Sequence, residues 1–241
     1  MCVNKLFSAI ALLPLLLCGC SVVTRPPSAA AFMSSYNSEK TIDAVSVSVY
    51  GGDLVREYKK VDYLPKPNDI ITSHEWPVDI SFTHFFNKSH FSMGLGIQTL
   101  TLMVQPGFVS RNFGLMGWSN FPLGNIDAGH GEIELGWMGG VSAIQQLVLD
   151  GIVKIGLAEH ISRNGRESVW KESDCITEGF GPTGACMGDR MPVTYLEIGV
   201  GAYIAFNHLS FEFRYGRDLS EKKDRFAFTV DLMFFTRKNG I

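Results

Sequence analysis

Apolar and polar residues alternate with a period of two along most of the chain after residue 44. The alternating segments are residues 45–49, 78–86, 91–104, 132–137, 153–161, 196–206, 209–215 and 226–234. A β-strand with one buried face alternates in this way, because successive side chains point to opposite sides of the sheet. We therefore predict an all-β domain built from strands of about ten residues.

The connections between these segments predict an antiparallel up-and-down order. Tight turns are expected at residues 87–89, 106–107 and 207–208, long loops at 119–130 and 163–191, and a helical turn is allowed at 142–150. The apolar face shifts before Leu100, which predicts a bulge near Thr99. If residues 54–62 form a weak second strand, the count is ten and the two longest loops lie on one side. Eight strands, with the first hairpin outside the barrel, is the alternative.

Glycine and charged residues share the polar face of these strands. The glycines are Gly94, Gly96, Gly136, Gly156, Gly199, Gly201 and Gly216. The charged residues are Glu132, Glu134, Lys154, Glu197, Glu212, Arg214 and Asp231. Glycine is unfavourable on a solvated strand, whereas small residues beside paired charges suit the interior of a narrow barrel. We predict that these charges form a network that stabilises a narrow, largely closed polar lumen. A gate or an ion path is the alternative.

The apolar face is predicted to contact lipid. Aromatic residues fall near the predicted strand ends, where membrane barrels carry girdles at the level of the lipid headgroups. These residues are Trp118, Trp137, Phe206, Tyr215, Phe226 and Phe234. The predicted fold is an antiparallel up-and-down transmembrane β-barrel of 8–10 strands with an N-terminal signal segment. A soluble, lipocalin-like barrel that binds apolar ligands is the alternative, and it would place Ile198, Val200, Phe211 and Phe228 inside.

The first twenty residues have the features of an export signal. Lys5 precedes an apolar run at residues 6–17, which is too short for a transmembrane helix. The run ends in Leu17-Cys18-Gly19-Cys20 and resembles the bacterial lipoprotein signal, whose lipobox ends in Leu-x-Gly-Cys. The resemblance implies that Cys20 receives the lipids and becomes the new N-terminus. It also implies an outer-membrane destination, because Ser21 and not Asp follows the cysteine. A plain cleaved signal is the alternative.

Three regions follow from these patterns. Residues 1–19 are predicted to be the lipoprotein signal peptide, and residues 41–241 the barrel domain. Residues 20–40 are small and polar and include proline, which predicts a flexible, lipid-anchored tether between them.

The barrel domain resembles the OmpA-like and OmpX-like families of small outer-membrane β-barrels. The likeness covers most of the chain from Ala44 and rests on the alternation of its strands. Those families commonly end in a terminal Phe, whereas here residues 236–241 follow Phe234 and Phe235. The resemblance implies a porin-like fold in the bacterial outer membrane. Outer-membrane lipid is then a partner, and an extracellular ligand at the long loops is a candidate partner.

Charge and cysteine content narrow the function further. The net charge of −3 provides no basic surface for nucleic acid, which we exclude as a partner. Of the five cysteines, Cys175 and Cys186 remain after the predicted signal and lipidation site, and turn-rich sequence separates them. In an exported protein this pair predicts a disulfide. A metal site is the weaker alternative, since no histidine neighbours them.

The six histidines are the remaining candidates for chemistry, and none has a metal-binding spacing. Ser89 precedes His90, and His160 lies two residues before Ser162, as serine and histidine do in some lipid hydrolases. Such pairs arise readily by chance, so we predict no enzyme activity, no metal and no cofactor. The predicted function is a lipid-anchored outer-membrane barrel with a structural or surface-binding role. The alternatives to this function are the lipocalin-like barrel described above and an outer-membrane lipid-modifying enzyme.

Overall fold

The computed structural model describes most of the chain that follows the predicted signal. The described residues are 24–36, 40–52, 55–59, 70–74, 78–98, 101–122, 138–149, 152–170, 190–219 and 222–237. They form one short helix, α1 (Ala29–Ser34), and a series of strands. The strands are β1 (Lys40–Gly52), β2 (Val55–Lys59), β3 (Ile70–His74), β4 (Val78–Lys88), β5 (Phe91–Gln98), β6 (Thr101–Val109), β7 (Phe113–Pro122), β8 (Met138–Leu149), β9 (Val153–Trp170), β10 (Arg190–Ala205), β11 (Leu209–Asp218) and β12 (Asp224–Arg237).

Ten of these strands form a closed antiparallel barrel in the order β1-β12-β11-β10-β9-β8-β7-β6-β5-β4. The first and last strands close it along their whole length, with Val47 opposite Val230 near the middle. The short strands β2 and β3 pair only with each other and lie between β1 and β4 in the chain. The predicted up-and-down barrel is therefore confirmed, with ten strands in its wall.

The two ends of the barrel differ. At one end, which we call the turn end, β1 begins, β12 ends, and short connections join β4 to β5, β6 to β7, β8 to β9 and β10 to β11. At the other, the loop end, residues 53–77, 123–137 and 171–189 connect successive wall strands. Membrane barrels have short periplasmic turns and longer extracellular loops. The three long connections of this chain likewise share one end, which also has the short β5–β6 and β11–β12 connections.

The wall strands turn their apolar side chains outward. Val200 is 53% exposed and Phe213 is 51% exposed, whereas Glu197 is 5% exposed and Asp231 is fully buried. The inward face carries serine, threonine, glutamine and charged residues along most of its length. This confirms the predicted orientation and contradicts the lipocalin-like alternative, which requires the opposite one.

Two predictions about the connections are wrong, and two predicted loops overlap strands at their bounds. Residues 106–107 lie within β6 instead of forming a turn, because Pro106 only interrupts the ladder, which resumes in register between Gly107 and Met116. Where a bulge is expected near Thr99, β5 ends at Gln98 and β6 begins at Thr101, and the two strands pair antiparallel with each other. The loop expected from residue 119 overlaps β7, and the one expected from 163 overlaps β9.

The helical turn allowed at residues 142–150 is also absent from the described residues, which place 142–149 in β8. Its polarity is inverted locally, because Ile144 points into the lumen while Gln145 is exposed on the outside. Trp118 likewise points inward and is 4% exposed, so it is not part of an outer aromatic girdle. Both interior residues belong to an apolar cluster around α1.

That cluster exists because the N-terminal stretch enters the barrel. Residues 24–36, which we call the plug segment, lie in the lumen, and residues 24–35 are all buried. This part of the chain therefore differs from the flexible tether predicted for residues 20–40. Within the described residues, no helix is long and apolar enough to cross a membrane.

Candidate functional site

The plug segment passes through the lumen from one end of the barrel to the other. Near the loop end, the backbone N–H of Thr24 donates to the Gly165 carbonyl at 3.2 Å, and the Gly165 N–H donates to Thr24 Oγ1 at 2.8 Å. At the turn end, the Tyr36 ring stacks on His90, in the β4–β5 turn, with centroids 5.9 Å apart. The residues between Thr24 and Tyr36 contact the wall at levels that lie progressively nearer the turn end.

Local sequence explains why the plug segment forms a helix only in the half nearer the turn end. Pro26 and Pro27 lack backbone N–H groups, and a proline disfavours helical geometry in the residue before it. Ser28 then acts as the N-cap, with extended φ and ψ of −60° and 124°, and its Oγ accepts from the Ala31 N–H at 3.1 Å. The alanines that follow have the highest helix propensity and fit the narrow lumen.

Glu212 and Arg214, two inward residues of β11, hold the start of α1. Glu212 Oε2 accepts from the backbone N–H groups of Ala29 at 3.0 Å and Ala30 at 3.4 Å. Arg214 Nε donates to Glu212 Oε1 at 2.5 Å, and its Nη atoms donate to the carbonyls of Pro26 and Pro27. The carboxylate thus accepts from helix amides that have no partner within the helix, and the guanidinium donates to the carbonyls before them.

Asp231 on β12 adds a second carboxylate beside the cap. Its Oδ2 lies 2.7 Å from Ser28 Oγ and also accepts from Ser210 Oγ. Ser28 Oγ is 3.1 Å from Glu212 Oε2 as well, so the hydroxyl lies between the two carboxylates. Because both carboxylates are buried, their negative charge requires the adjacent Arg214 and these hydrogen bonds.

A second charged cluster lies closer to the loop end. Arg25 Nη1 donates to Glu197 Oε2 at 3.2 Å, and His160 Nε2 lies 2.9 Å from Glu197 Oε1. The Arg25 guanidinium packs over the rings of Tyr50, at 4.9 Å, and Tyr195, at 5.2 Å. Such contacts stabilise a buried cation beyond its ion pair.

The half of the plug segment nearer the turn end contacts the wall through apolar side chains. The Phe32 ring packs edge-on against Phe85, with centroids 6.3 Å apart. Two wall glycines make room for the helix, because a Cβ on Gly107 would lie 2.6 Å from Phe32 Cζ and one on Gly114 would lie 2.5 Å from Met33 Sδ. Below them, the hydroxyls of Ser35 and Ser92 are 2.8 Å apart.

The described members of the predicted lumen network all face inward. Glu212, Arg214 and Asp231 come together around the start of α1, and Glu197 pairs instead with Arg25 and His160. Lys154 lies on the same face of β9 as His160, six residues nearer the turn end. Five other predicted site residues lie outside the described residues: Cys20, Glu132, Glu134, Cys175 and Cys186. Lipidation and the disulfide stay predictions.

Neither serine–histidine pair noted in the sequence is arranged as a catalytic pair in the described part of the chain. His160 points to Glu197, while Ser162 Oγ is buried without a hydrogen-bond partner. His90 lies in the β4–β5 turn, where its Nδ1 is 3.2 Å from the Val109 carbonyl. Among the described residues, no three His, Cys, Asp or Glu side chains are grouped to hold a metal ion.

Sequence reasoning missed several lumen charges. Arg225 and Asp218 form a buried ion pair at 3.0 Å near the loop end. Extending the alternation of β11 and β12 toward their shared turn would have placed both residues on the inward face. Arg25 and Ser28 have no such signal, since they precede the strands, and only the serine-then-alanine run suggests a helix start.

Comparisons with known proteins give a limited result. No family model matches the sequence, and no curated protein matches it. Among solved structures, Neisserial surface protein A (NspA) aligns at 9% identity and a TM-score of 0.37, covering 82% of this chain and 96% of that one. Ail, the attachment invasion locus protein of Yersinia pestis, solved with the heparin analogue sucrose octasulfate, aligns at 7% identity and a TM-score of 0.33, covering 82% and 100%. The N-terminal β-barrel domain of Pseudomonas aeruginosa OprF aligns at 9% identity and a TM-score of 0.29, covering 79% and 97%.

Proposed function

We propose that this protein is a non-enzymatic, lipid-anchored barrel of the bacterial outer membrane, whose lumen is closed by its own N-terminal segment. Cys20 is the lipidated residue in this proposal. The protein acts structurally, or binds an extracellular ligand through the connections at its loop end, where Cys175 and Cys186 form the proposed disulfide. No metal or cofactor takes part.

The observation that carries this proposal is the combination of an apolar outer surface with a lumen filled by the plug segment. Large apolar side chains such as Phe213, Phe228 and Ile198 are about half exposed on the outside, where water would make such a continuous surface unfavourable. The plug segment occupies the space through which a solute would pass, and its charges are paired with the wall. A structural or surface role fits this arrangement better than transport.

A lipid-facing charge tests the membrane assignment. Phe213 lies in the middle of the outward face of β11, and Phe213→Arg should reduce the free energy of unfolding in lipid bilayers by about 2–4 kcal/mol. Leu219 follows the same strand at the loop end, so Leu219→Arg is the matched control and should cost about 0–1 kcal/mol. Denaturant unfolding of barrels refolded into vesicles, followed by heat-modifiable gel migration, measures both.

Two results would overturn the proposal. One is a Phe213→Arg barrel as stable as the parent, since an arginine at a water-exposed site carries no such penalty. The other is recovery of the chain without residues 1–19 as a folded monomer in water without detergent.

A further inference from the structure

The direction in which the plug segment runs determines where the N-terminus of the mature chain emerges. We infer that the chain before Thr24 leaves the barrel at the loop end, so that the lipids on Cys20 insert into the outer leaflet at the cell surface. This inference rests on the proposed function, which supplies the outer membrane and the lipidated cysteine.

Contacts along the plug segment establish its direction. Thr24 Oγ1 lies 2.9 Å from Met138 Sδ, and Met138 begins β8 directly after the loop-end connection 123–137. Arg25 packs over Tyr50, near the loop end of β1. Further along, Ser35 meets Ser92, the second residue of β5, at the turn end. The segment therefore runs from the loop end to the turn end.

Chain length then restricts the position of Cys20. Three residues lie between Cys20 and Thr24, and the four extended residue steps that join them span at most about 14 Å. The apolar band of a membrane barrel is about 25 Å tall, so Cys20 cannot reach the turn end from the level of Thr24. The lumen beneath Thr24 is also occupied by the rest of the plug segment.

This geometry contrasts with a lipid anchor in the inner leaflet. Such an anchor would require the chain to enter the lumen at the turn end, next to the start of β1. The described contacts place Tyr36 there instead, stacked on His90. In the inferred arrangement, the lipids on Cys20 enter the membrane at the same surface at which the long loops emerge.

An epitope tag inserted after Ser21 of the full-length precursor tests the inference in a Gram-negative host. Control tags are inserted in the loop-end connection 123–137 and, in separate cells, after Arg111 in the β6–β7 turn. Antibody binding is measured on intact cells and after permeabilisation of the outer membrane. Palmitate incorporation into the Ser21-tagged chain is measured in parallel, with Cys20→Ser as its control.

We expect the Ser21 and 123–137 tags to give nearly their full signal on intact cells, and the Arg111 tag only after permeabilisation. We also expect palmitate labelling that Cys20→Ser abolishes. If the 123–137 tag is hidden on intact cells, the proposed outer-membrane arrangement fails. If that tag is exposed but the Ser21 tag binds only after permeabilisation, or never, the threading direction is wrong and the proposed function stands. An exposed Ser21 tag without palmitate leaves the threading direction standing, but it overturns both the lipid placement and the lipid anchor of the proposed function.

Discussion

The carboxylate of Glu212 contacts both the plug segment and the barrel wall. One of its oxygens accepts from the first amides of α1, and the other accepts from Arg214, which in turn binds the two carbonyls before the helix. Both side chains are almost completely buried. Each charge therefore depends on the other, because water cannot replace a missing partner at this depth.

Glu212→Ala should destabilise the folded barrel by about 3–5 kcal/mol, since it leaves the Arg214 guanidinium buried beside α1 without its carboxylate. Arg217→Ala is the control, because Arg217 pairs with Asp224 at 2.6 Å where both side chains are nearly half exposed. Its loss should hardly change stability, since exposed pairs contribute little. Unfolding by guanidinium in detergent micelles compares the two, and equal midpoints would show that the buried pair is not needed.

At the scale of elements, the N-cap residue before α1 stabilises the helix more than its length does. A helix of six residues is unstable by itself in water, so its N-cap and its packing in the lumen must stabilise it. Ser28 provides the cap and also separates the carboxylates of Glu212 and Asp231. Ser34, at the other end of the same helix, has a buried hydroxyl without a partner among the described residues.

Ser28→Ala should therefore lower the local stability of α1 by about 0.5–2 kcal/mol, the usual cost of losing such a cap. Ser34→Ala should leave it unchanged, because that hydroxyl makes no hydrogen bond. Hydrogen exchange of the α1 amides, with the barrel in micelles, measures the difference. Faster exchange in both variants, or in neither, would contradict the assigned role of Ser28.

The wall elements could be predicted from sequence where one face meets lipid and the other meets polar groups. β10, β11 and β12 satisfy this condition, and their alternation gave both the strands and the orientation of Glu197 and Asp231. The rule fails where the plug segment makes the lumen apolar. Ile144 and Trp118 point inward because they pack around α1, which local alternation cannot show.

The candidate site was predictable only in its wall half. Glu212, Arg214 and Asp231 follow from strand alternation, whereas Arg25 and Ser28 lie in a stretch without periodicity. Their composition is that of a tether, and short polar sequence is ordered only when a surrounding structure supplies partners. Here those partners come from strands that follow more than a hundred residues later.

At the scale of the whole molecule, the wall and the plug segment share one set of charges. Arg25 of the plug segment pairs with Glu197 of the wall, so this buried cation has its counter-charge in the wall. Arg214 pairs with Glu212 within the wall and also binds the carbonyls of Pro26 and Pro27. The inward face of the wall also carries many serines, threonines and glutamines, which water could solvate if the lumen were open. We therefore expect the inserted segment, and not the barrel wall, to close the lumen.

Deleting residues 25–35 should therefore open the barrel to ions. The ten wall strands keep their pairing, and the exposed lumen then has the polar, charged lining of a channel. We expect the deletion variant to give stepwise conductance in planar bilayers, and the full chain and Ser34→Ala to give little. Heat-modifiable migration must first show that each barrel is folded.

If the deletion variant does not fold, Phe32→Ala combined with Met33→Ala, which removes the contacts at Gly107 and Gly114, should produce intermittent conductance instead. A folded deletion variant that conducts no better than the full chain would mean that the wall side chains close the lumen by themselves.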